Sequence, residues 1–255
     1  MPFAGSADAY TSFMGRYSGP LATAFADLIG PRAGQRALDV GCGPGALTGV
    51  LAGRVGTEHV TAIDPSQAFV DAVARRWPAV GVARGSAEQL PFRDATFDLT
   101  LAQLVVHFMT DPVAGLAEMA RVTRPGGTVA ATVWDHSADR GPLSLFWTAV
   151  RATDAAAHDE SGLAGVGEGQ LAALFERAGM PGPSATALTV QVTHPTFEQW
   201  WDPFTLGVGP AGSYLARLDE PGRARLRQAC QNLLPTAPFT VDATAWTVWW
   251  PAPVK

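Results

Sequence analysis

The segment Ala37-Leu-Asp-Val-Gly-Cys-Gly-Pro-Gly-Ala46 constrains the fold of this chain more than any other stretch. Its opening, with Arg36–Val40, is a short apolar run and reads as a strand buried on both faces, as in a parallel sheet. Gly41, Gly43 and Gly45 follow at alternate positions. Without a Cβ they let the backbone turn sharply and approach a ligand closely. The next residues, 45–55, carry a helix pattern, and the N-terminus of that helix offers unpaired N–H groups to a polar or anionic ligand group. The segment is therefore a β–turn–α unit with a ligand site at its turn.

The same alternation continues to about residue 135. Strands are expected at 59–63, 80–84, 97–104 and 127–134, and helices at 66–76 (stopped before Pro78) and 113–122. Five strands in roughly 100 residues, joined by crossovers, imply an open doubly wound sheet. Beyond Trp134 the pattern loosens, with a helix expected near 143–153 and an amphipathic one over 170–178 ending at Gly179. Strands at 185–193 and 239–250 complete the pattern, with helical pieces over 197–234. The expected architecture is a Rossmann-like, mostly parallel seven-stranded α/β sheet with helical lid insertions and an antiparallel last strand. One domain is expected over 1–255, with a helical cover over 1–34, a cofactor-binding core over 35–135 and insertions over 136–168 and 196–236.

Composition bounds the partners. A net charge of −5, with basic residues scattered, offers no concentrated positive face, so nucleic acid is not an expected partner. The first residues lack a basic and apolar leader, and no run reaches about 18 apolar residues, so a cytoplasmic protein without a membrane span is expected, as monomer or homodimer. Cys42 and Cys230 have no metal-ligand spacing and read as reduced thiols, and no metal site is expected.

Asp64 ends the second strand, where a carboxylate accepts the two hydroxyls of a ribose. With the glycine turn it describes a site for an adenosine-containing cofactor. Gly41-x-Gly43-x-x-Ala46 also satisfies the dinucleotide fingerprint, which keeps an NAD(P)-dependent oxidoreductase as an alternative. Against it stand Asp39 inside the first strand, the loop Gly85-Ser-Ala-Glu-Gln-Leu-Pro-Phe92 and Arg124-Pro-Gly-Gly127. Lys255 is the only lysine, so a Tyr-x-x-x-Lys proton-donor pair is excluded. These motifs together resemble the class I S-adenosylmethionine-dependent methyltransferases, in particular the small-molecule group that includes ubiquinone- and menaquinone-biosynthesis-type enzymes.

The resemblance implies S-adenosylmethionine as cofactor, S-adenosylhomocysteine as product, and O-, N- or C-methylation of a small acceptor. It implies Asp39, Gly41, Cys42 and Gly43 against the methionine and ribose parts, Asp64 on the ribose hydroxyls, and Pro65 and Ser66 flanking the adenine. Ala87 and Glu88 lie beside the adenine amine and Gln103 faces the methionine part. Tyr17, with Arg16, sits on an N-terminal helix and is expected near the methionine carboxylate. A fold member that binds the cofactor without methylating anything is the alternative from another class.

An in-line methyl displacement asks the protein mainly for alignment, and a base where the acceptor carries a proton. His107 in Leu-Val-Val-His-Phe is the expected base, with Asp135 and His136 as lesser candidates. His59, His158 and His194 are expected on the surface. Phe146, Trp147, Trp200, Trp201 and Phe204, with Tyr214, are expected to line an acceptor pocket suited to a flat or apolar molecule, since their stretches look too rich in Gly and Pro for a large core; the alternative is that they pack a lid onto the sheet.

Overall fold

The computed structural model describes residues 7–154 and 156–252; the expected cover over 1–34 thus begins, for its first six residues, outside them. The chain opens with α1 (Ala7–Tyr10), a π-helical turn over Thr11–Gly15 and α2 (Arg16–Ile29). Then follow β1 (Ala37–Val40), α3 (Ala46–Val55), β2 (Val60–Asp64), α4 (Gln67–Arg76), β3 (Gly81–Arg84) and β4 (Phe97–Gln103). After them come α5 (Pro112–Val122), β5 (Thr123–Trp134), α6 (Ser144–Thr153), α7 (Gln170–Arg177) and β6 (Ser184–His194). The chain ends with α8 (Phe197–Trp201), α9 (Gly209–Arg217), α10 (Glu220–Leu233) and β7 (Phe239–Pro251).

The seven strands form one sheet in the order β3-β2-β1-β4-β5-β7-β6, with β7 antiparallel to both its neighbours. This is the architecture expected from the sequence. β1 and β4 are buried along their whole length, which is why they read as apolar runs without alternation. Leu38 and Val40 face α5 and α7, in a core with Leu116, Met119, Leu171 and Phe175. Ala37, Ala62 and Leu101 face the other way, onto Phe25 of α2 and Leu47 and Leu51 of α3. The order reverses between β1 and β4, so their connections leave on opposite faces and a crevice opens at the carboxyl ends of these strands. Among the described residues no helix is long and apolar enough to cross a membrane.

Two local departures have clear causes. β5 starts four residues before its expected start, at Thr123, because Thr123 pairs with Phe97 and Thr128 with Leu99, so Arg124–Gly127 bulges from the ladder. No helix carries the chain from β3 back to β4; residues 85–96 make that crossover as a loop. Arg121 of α5 holds it, donating to the carbonyls of Leu90 (3.0 Å) and Phe92 (2.9 Å) and to Asp94 (2.7 Å). Glu118 accepts from Leu90 N–H (3.0 Å) and from Arg121 (2.6 Å). Arg121→Ala is expected to cost about 1–2 kcal/mol, since the bonds are charge-assisted but partly solvated. Urea unfolding measures it, and an unchanged midpoint would mean that Leu90 burial alone holds the crossover.

A third core caps the sheet. Phe13, Tyr17 and Leu21 meet Phe146, Trp147, Trp200, Trp201, Phe204 and Tyr214 together with residues of β6 and β7. The expectation that these stretches are too rich in Gly and Pro for a large core is overturned. Gly207 turns with φ +71° just after Phe204, and Gly209 with φ +65° opens α9, so the glycines fold the chain back on its aromatics. Phe146 stacks on Phe204 at 4.6 Å between ring centroids, and Trp200 lies 4.9 Å from Phe204.

Candidate active site

The crevice at the ends of β1, β2 and β4 is a cavity of about 320 Å³. Ten of the residues singled out from the sequence line it: Asp39, Gly41, Cys42, Gly43, Asp64, Pro65, Ser66, Ala87, Glu88 and Gln103. They come from four separate segments, which the parallel sheet brings to one edge.

The glycine turn is built as its residue types demand. Gly41, Gly43 and Gly45 have φ of +70°, +51° and +95°, conformations that L side chains rarely adopt. A Cβ at Gly41 would fall 2.4 Å from Val105 Cγ2, whereas one at Gly43 would meet nothing within 4 Å. Gly43 lines the cavity, so its missing side chain leaves open room beside the backbone. The backbone N–H groups of Gly41 and Cys42 donate to Ile63 O at 2.8 and 3.1 Å, which ties the turn to the end of β2.

Asp64 accepts from Gly43 N–H (2.9 Å) through Oδ2 and from Ser66 N–H (2.8 Å) through Oδ1. Each carboxylate oxygen has a second lone pair, so two acceptor positions remain. Burial pushes its pKa up, against these two backbone donors. Gln103 Nε2 donates to Ser18 O (2.9 Å), while Gln103 Oε1 and Ser18 Oγ are buried without a partner. Both residues line the cavity. Orphaned buried polar atoms are costly, and a polar ligand end would satisfy them.

Asp39 is fully enclosed and accepts from Thr48 Oγ1 (2.6 Å). Burial raises its pKa from 3.8 to about 7, with nearby Asp64 adding to the rise and the Thr48 bonds opposing it. Between pH 4 and 7 the folded chain therefore holds a proton that the unfolded chain has released. The contribution of Asp39 to stability therefore falls as pH rises through that window. Asp39→Asn, which does not titrate, is expected to flatten this slope in urea unfolding of the ligand-free protein; an equal slope in both proteins would refute the assignment. The Cys42 thiol is raised well above its ordinary value, first by burial and then by Asp39 and Asp64, which leaves it unreactive.

Glu88 is a brace as well as a wall. It bonds Ser86 Oγ and accepts from Thr110 N–H (2.8 Å), fastening its loop to the start of α5. Burial would raise its pKa, but Ser86 and the backbone donors outweigh it and the carboxyl titrates below its usual range.

Tyr17 is not at the cavity. Its hydroxyl bonds His194 Nε2 at 2.9 Å inside the third core, and Arg16 binds Gln199 O (2.6 Å) and Ser12 O (3.0 Å). His194, expected on the surface, is buried there as a partner of Tyr17 and Arg16. Tyr10, two helical turns earlier, is the tyrosine that reaches the cavity, packing on Phe69 edge-to-face at 5.7 Å. Its phenol titrates well above the usual range, first through burial and then through Asp64 and Glu160.

Beyond Tyr10, Leu104 and Phe108, which line both spaces, lies a second cavity of about 30 Å³. Leu104 has φ +61°, a strained conformation at the end of β4 for which a leucine gives no sequence signal. His107 and His136 line the second cavity with ring centroids 6.2 Å apart. Burial lowers the His107 pKa to about 3, so the ring is neutral and a weak base, and its Nδ1 has no partner. Asp135 is enclosed and taken by Arg140 (2.7 Å). Phe146, Trp147, Trp200, Trp201 and Phe204 line neither cavity; they pack on one another behind it. Glu160, which sequence reasoning missed, does line the second cavity.

Residues 38–131 match a family described as "Methyltransferase domain". A malonyl-[acyl-carrier protein] O-methyltransferase of Serratia marcescens is 38% identical over 96 residues, 38% of this chain and 37% of that protein. A demethylmenaquinone methyltransferase of Beutenbergia cavernae is 40% identical over 101 residues, 40% of this chain and 41% of that protein. The chain thus spans less than half the length of these relatives. The solved structure of Haemonchus contortus phospholethanolamine N-methyltransferase 2, in complex with phosphomonomethylethanolamine and S-adenosylhomocysteine, superposes with a TM-score of 0.61. It covers 97% of this chain and 57% of that one at 18% identity, a likeness of fold.

Proposed function

We propose, from the match of residues 38–131 to a family described as "Methyltransferase domain" and from the geometry of the cavity, that this protein is a class I methyltransferase of the small-molecule type, which binds S-adenosylmethionine and methylates a small-molecule acceptor. When bound, the cofactor supplies a methyl carbon activated by its sulfonium. The observation that carries the proposal is the meeting, in one cavity, of Asp64 with free acceptor positions, the open backbone of Gly43, and the orphaned Gln103 Oε1 and Ser18 Oγ. Asp64 is suited to the ribose hydroxyls. Pro65, Ser66, Ala87 and Phe69 offer walls for a flat base. Gln103 and Ser18 offer polar atoms to the amino-acid end. No Arg or Lys is among the described residues lining the cavity, and the carboxylate of Asp64 favours a cationic ligand.

The second cavity is the acceptor side in this proposal. The helices of 136–168 and 196–236 then act as its lid, with their aromatics as the lid's packing. His107, held neutral, serves as a hydrogen-bonding group that orients the acceptor rather than as a strong base.

Calorimetric titration with S-adenosylmethionine, S-adenosylhomocysteine and NADH tests the cofactor, and release of S-adenosylhomocysteine across a panel of aromatic, heterocyclic and aliphatic acceptors tests the transfer. Binding of the first two ligands and turnover of one acceptor class are expected. Preference for NADH would overturn the cofactor assignment. Cofactor binding with no turnover of any acceptor would favour a non-methylating member of the fold.

A further inference from the structure

Glu160 sits in a single 3-10 turn, Glu160–Gly162, and is only 5% exposed. Its Oε2 accepts from Trp147 Nε1 at 3.0 Å, and no cation among the described residues pairs with it. The arginine of that region, Arg151, is committed to Asp159 (2.6 Å) and Asp139 (2.8 Å). A buried carboxylate with one neutral donor is expensive, since buried charges are ordinarily paired. His136 beside it does not supply the charge, because burial lowers that ring's pKa against the pull of Glu160.

Glu160 also lines the second cavity, and two further buried polar atoms there lack partners, His107 Nδ1 and Trp134 Nε1. Tyr10 and His136 also line it; the rest of the wall is apolar, with Phe13, Met14, Leu143 and Val208, and no Arg or Lys is among its described residues. A space of about 30 Å³ admits a head group and not a ring. Tyr10, Leu104 and Phe108 line both cavities, so the two spaces adjoin.

From this we infer that the second cavity is a head-group subsite for an amine, in which Glu160 receives the ammonium of a small, largely apolar acceptor. The inference rests on the methyltransferase reading for the word acceptor, but the subsite itself does not. His107 Nδ1 takes a second N–H of the head group, and Trp134 Nε1 suits a hydroxyl oxygen beside it. Trp147, through its bond to Glu160, is a positioning residue. The same geometry disfavours a carboxylate head group, which would meet Glu160 without an intervening cation.

The test uses three probes of one shape and different charge: 2-phenylethylamine, 2-phenylethanol and 3-phenylpropionate. Each is titrated calorimetrically into the full chain, with and without S-adenosylhomocysteine. The amine is expected to bind at least about tenfold more tightly than either of the others, and E160Q to lose that preference while E160D keeps part of it. The affinity for S-adenosylhomocysteine should stay within about twofold in E160Q, which also reports that the variant is folded. Equal binding of the three probes, no binding of the amine, or a preference that survives in E160Q would overturn the subsite. An amine preference in a protein that does not bind S-adenosylhomocysteine would keep the subsite and sink the methyltransferase proposal; the converse result would do the opposite.

Discussion

Asp64→Ala is expected to bind S-adenosylhomocysteine roughly ten- to a hundredfold more weakly than the parent chain, a loss of about 1.5–3 kcal/mol. The size of the effect has two parts. The carboxylate's remaining acceptor positions, proposed for the ribose hydroxyls, are removed. The N–H groups of Gly43 and Ser66, bonded to Asp64 at 2.9 and 2.8 Å, also lose their partner at the cavity wall. Asp64→Asn separates the parts, because its amide oxygen keeps one backbone bond while the charge and one acceptor disappear. Calorimetry on the two variants should rank Asn between Ala and the parent. Unaltered affinity in Asp64→Ala would remove the ribose from this position and with it the main support for the cofactor assignment.

Gly41→Ala should damage the fold, and Gly43→Ala the ligand site. At Gly41 the added methyl meets Val105 Cγ2 at 2.4 Å and Val105 Cβ at 2.7 Å, with φ at +70°. Overpacking and a left-handed alanine together are expected to cost about 2–5 kcal/mol, read as a lower urea midpoint. At Gly43 the methyl enters open space, so only the φ of +51° is penalised, about 1–2 kcal/mol. Because Gly43 lines the cavity, that methyl occupies ligand volume and should weaken S-adenosylhomocysteine binding more than it weakens the fold. If the two variants lost stability equally, the contact with Val105 would not be what makes glycine necessary at position 41.

Much of the candidate cavity was legible because its parts lie in short motifs: the glycine turn and Asp64 were read from the residues, and Pro65, Ser66, Ala87, Glu88 and Gln103 through the family resemblance those motifs carry. A glycine turn after an apolar run, an acid closing the next strand, and Gln103 closing β4 are encoded within a few residues each. The parallel strands β1, β2 and β4 then carry their carboxyl ends to one edge. That geometry is why Asp39, Gly41, Cys42, Gly43, Asp64, Pro65, Ser66, Ala87, Glu88 and Gln103 meet around one space. Helix 66–76 and the amphipathic stretch 170–178 were fixed within a residue or so for the same reason, since periodicity and stop signals are local.

His194 was expected on the surface, and for Tyr17 and the five aromatics the sequence left packing and ligand contact both open, because their roles depend on partners far away in sequence. Tyr17 finds His194 across 177 positions, and Phe146 stacks on Phe204 only because 197–234 folds back over α6. Aromatic rings are equally at home in a ligand wall and in a packed core, and residue type does not separate the two. Glu160 carries no motif at all; it matters through what surrounds it, a tryptophan donor, two imidazoles and, among the described residues, no cation. Sequence alone determined the strands, the helices between them and the residues of the candidate site's glycine turn, because backbone propensity, periodicity and turn chemistry are short-range. Tertiary structure alone decided which polar groups are buried unpaired and where apolar rings leave room, because desolvation and packing are set by the whole surrounding shell.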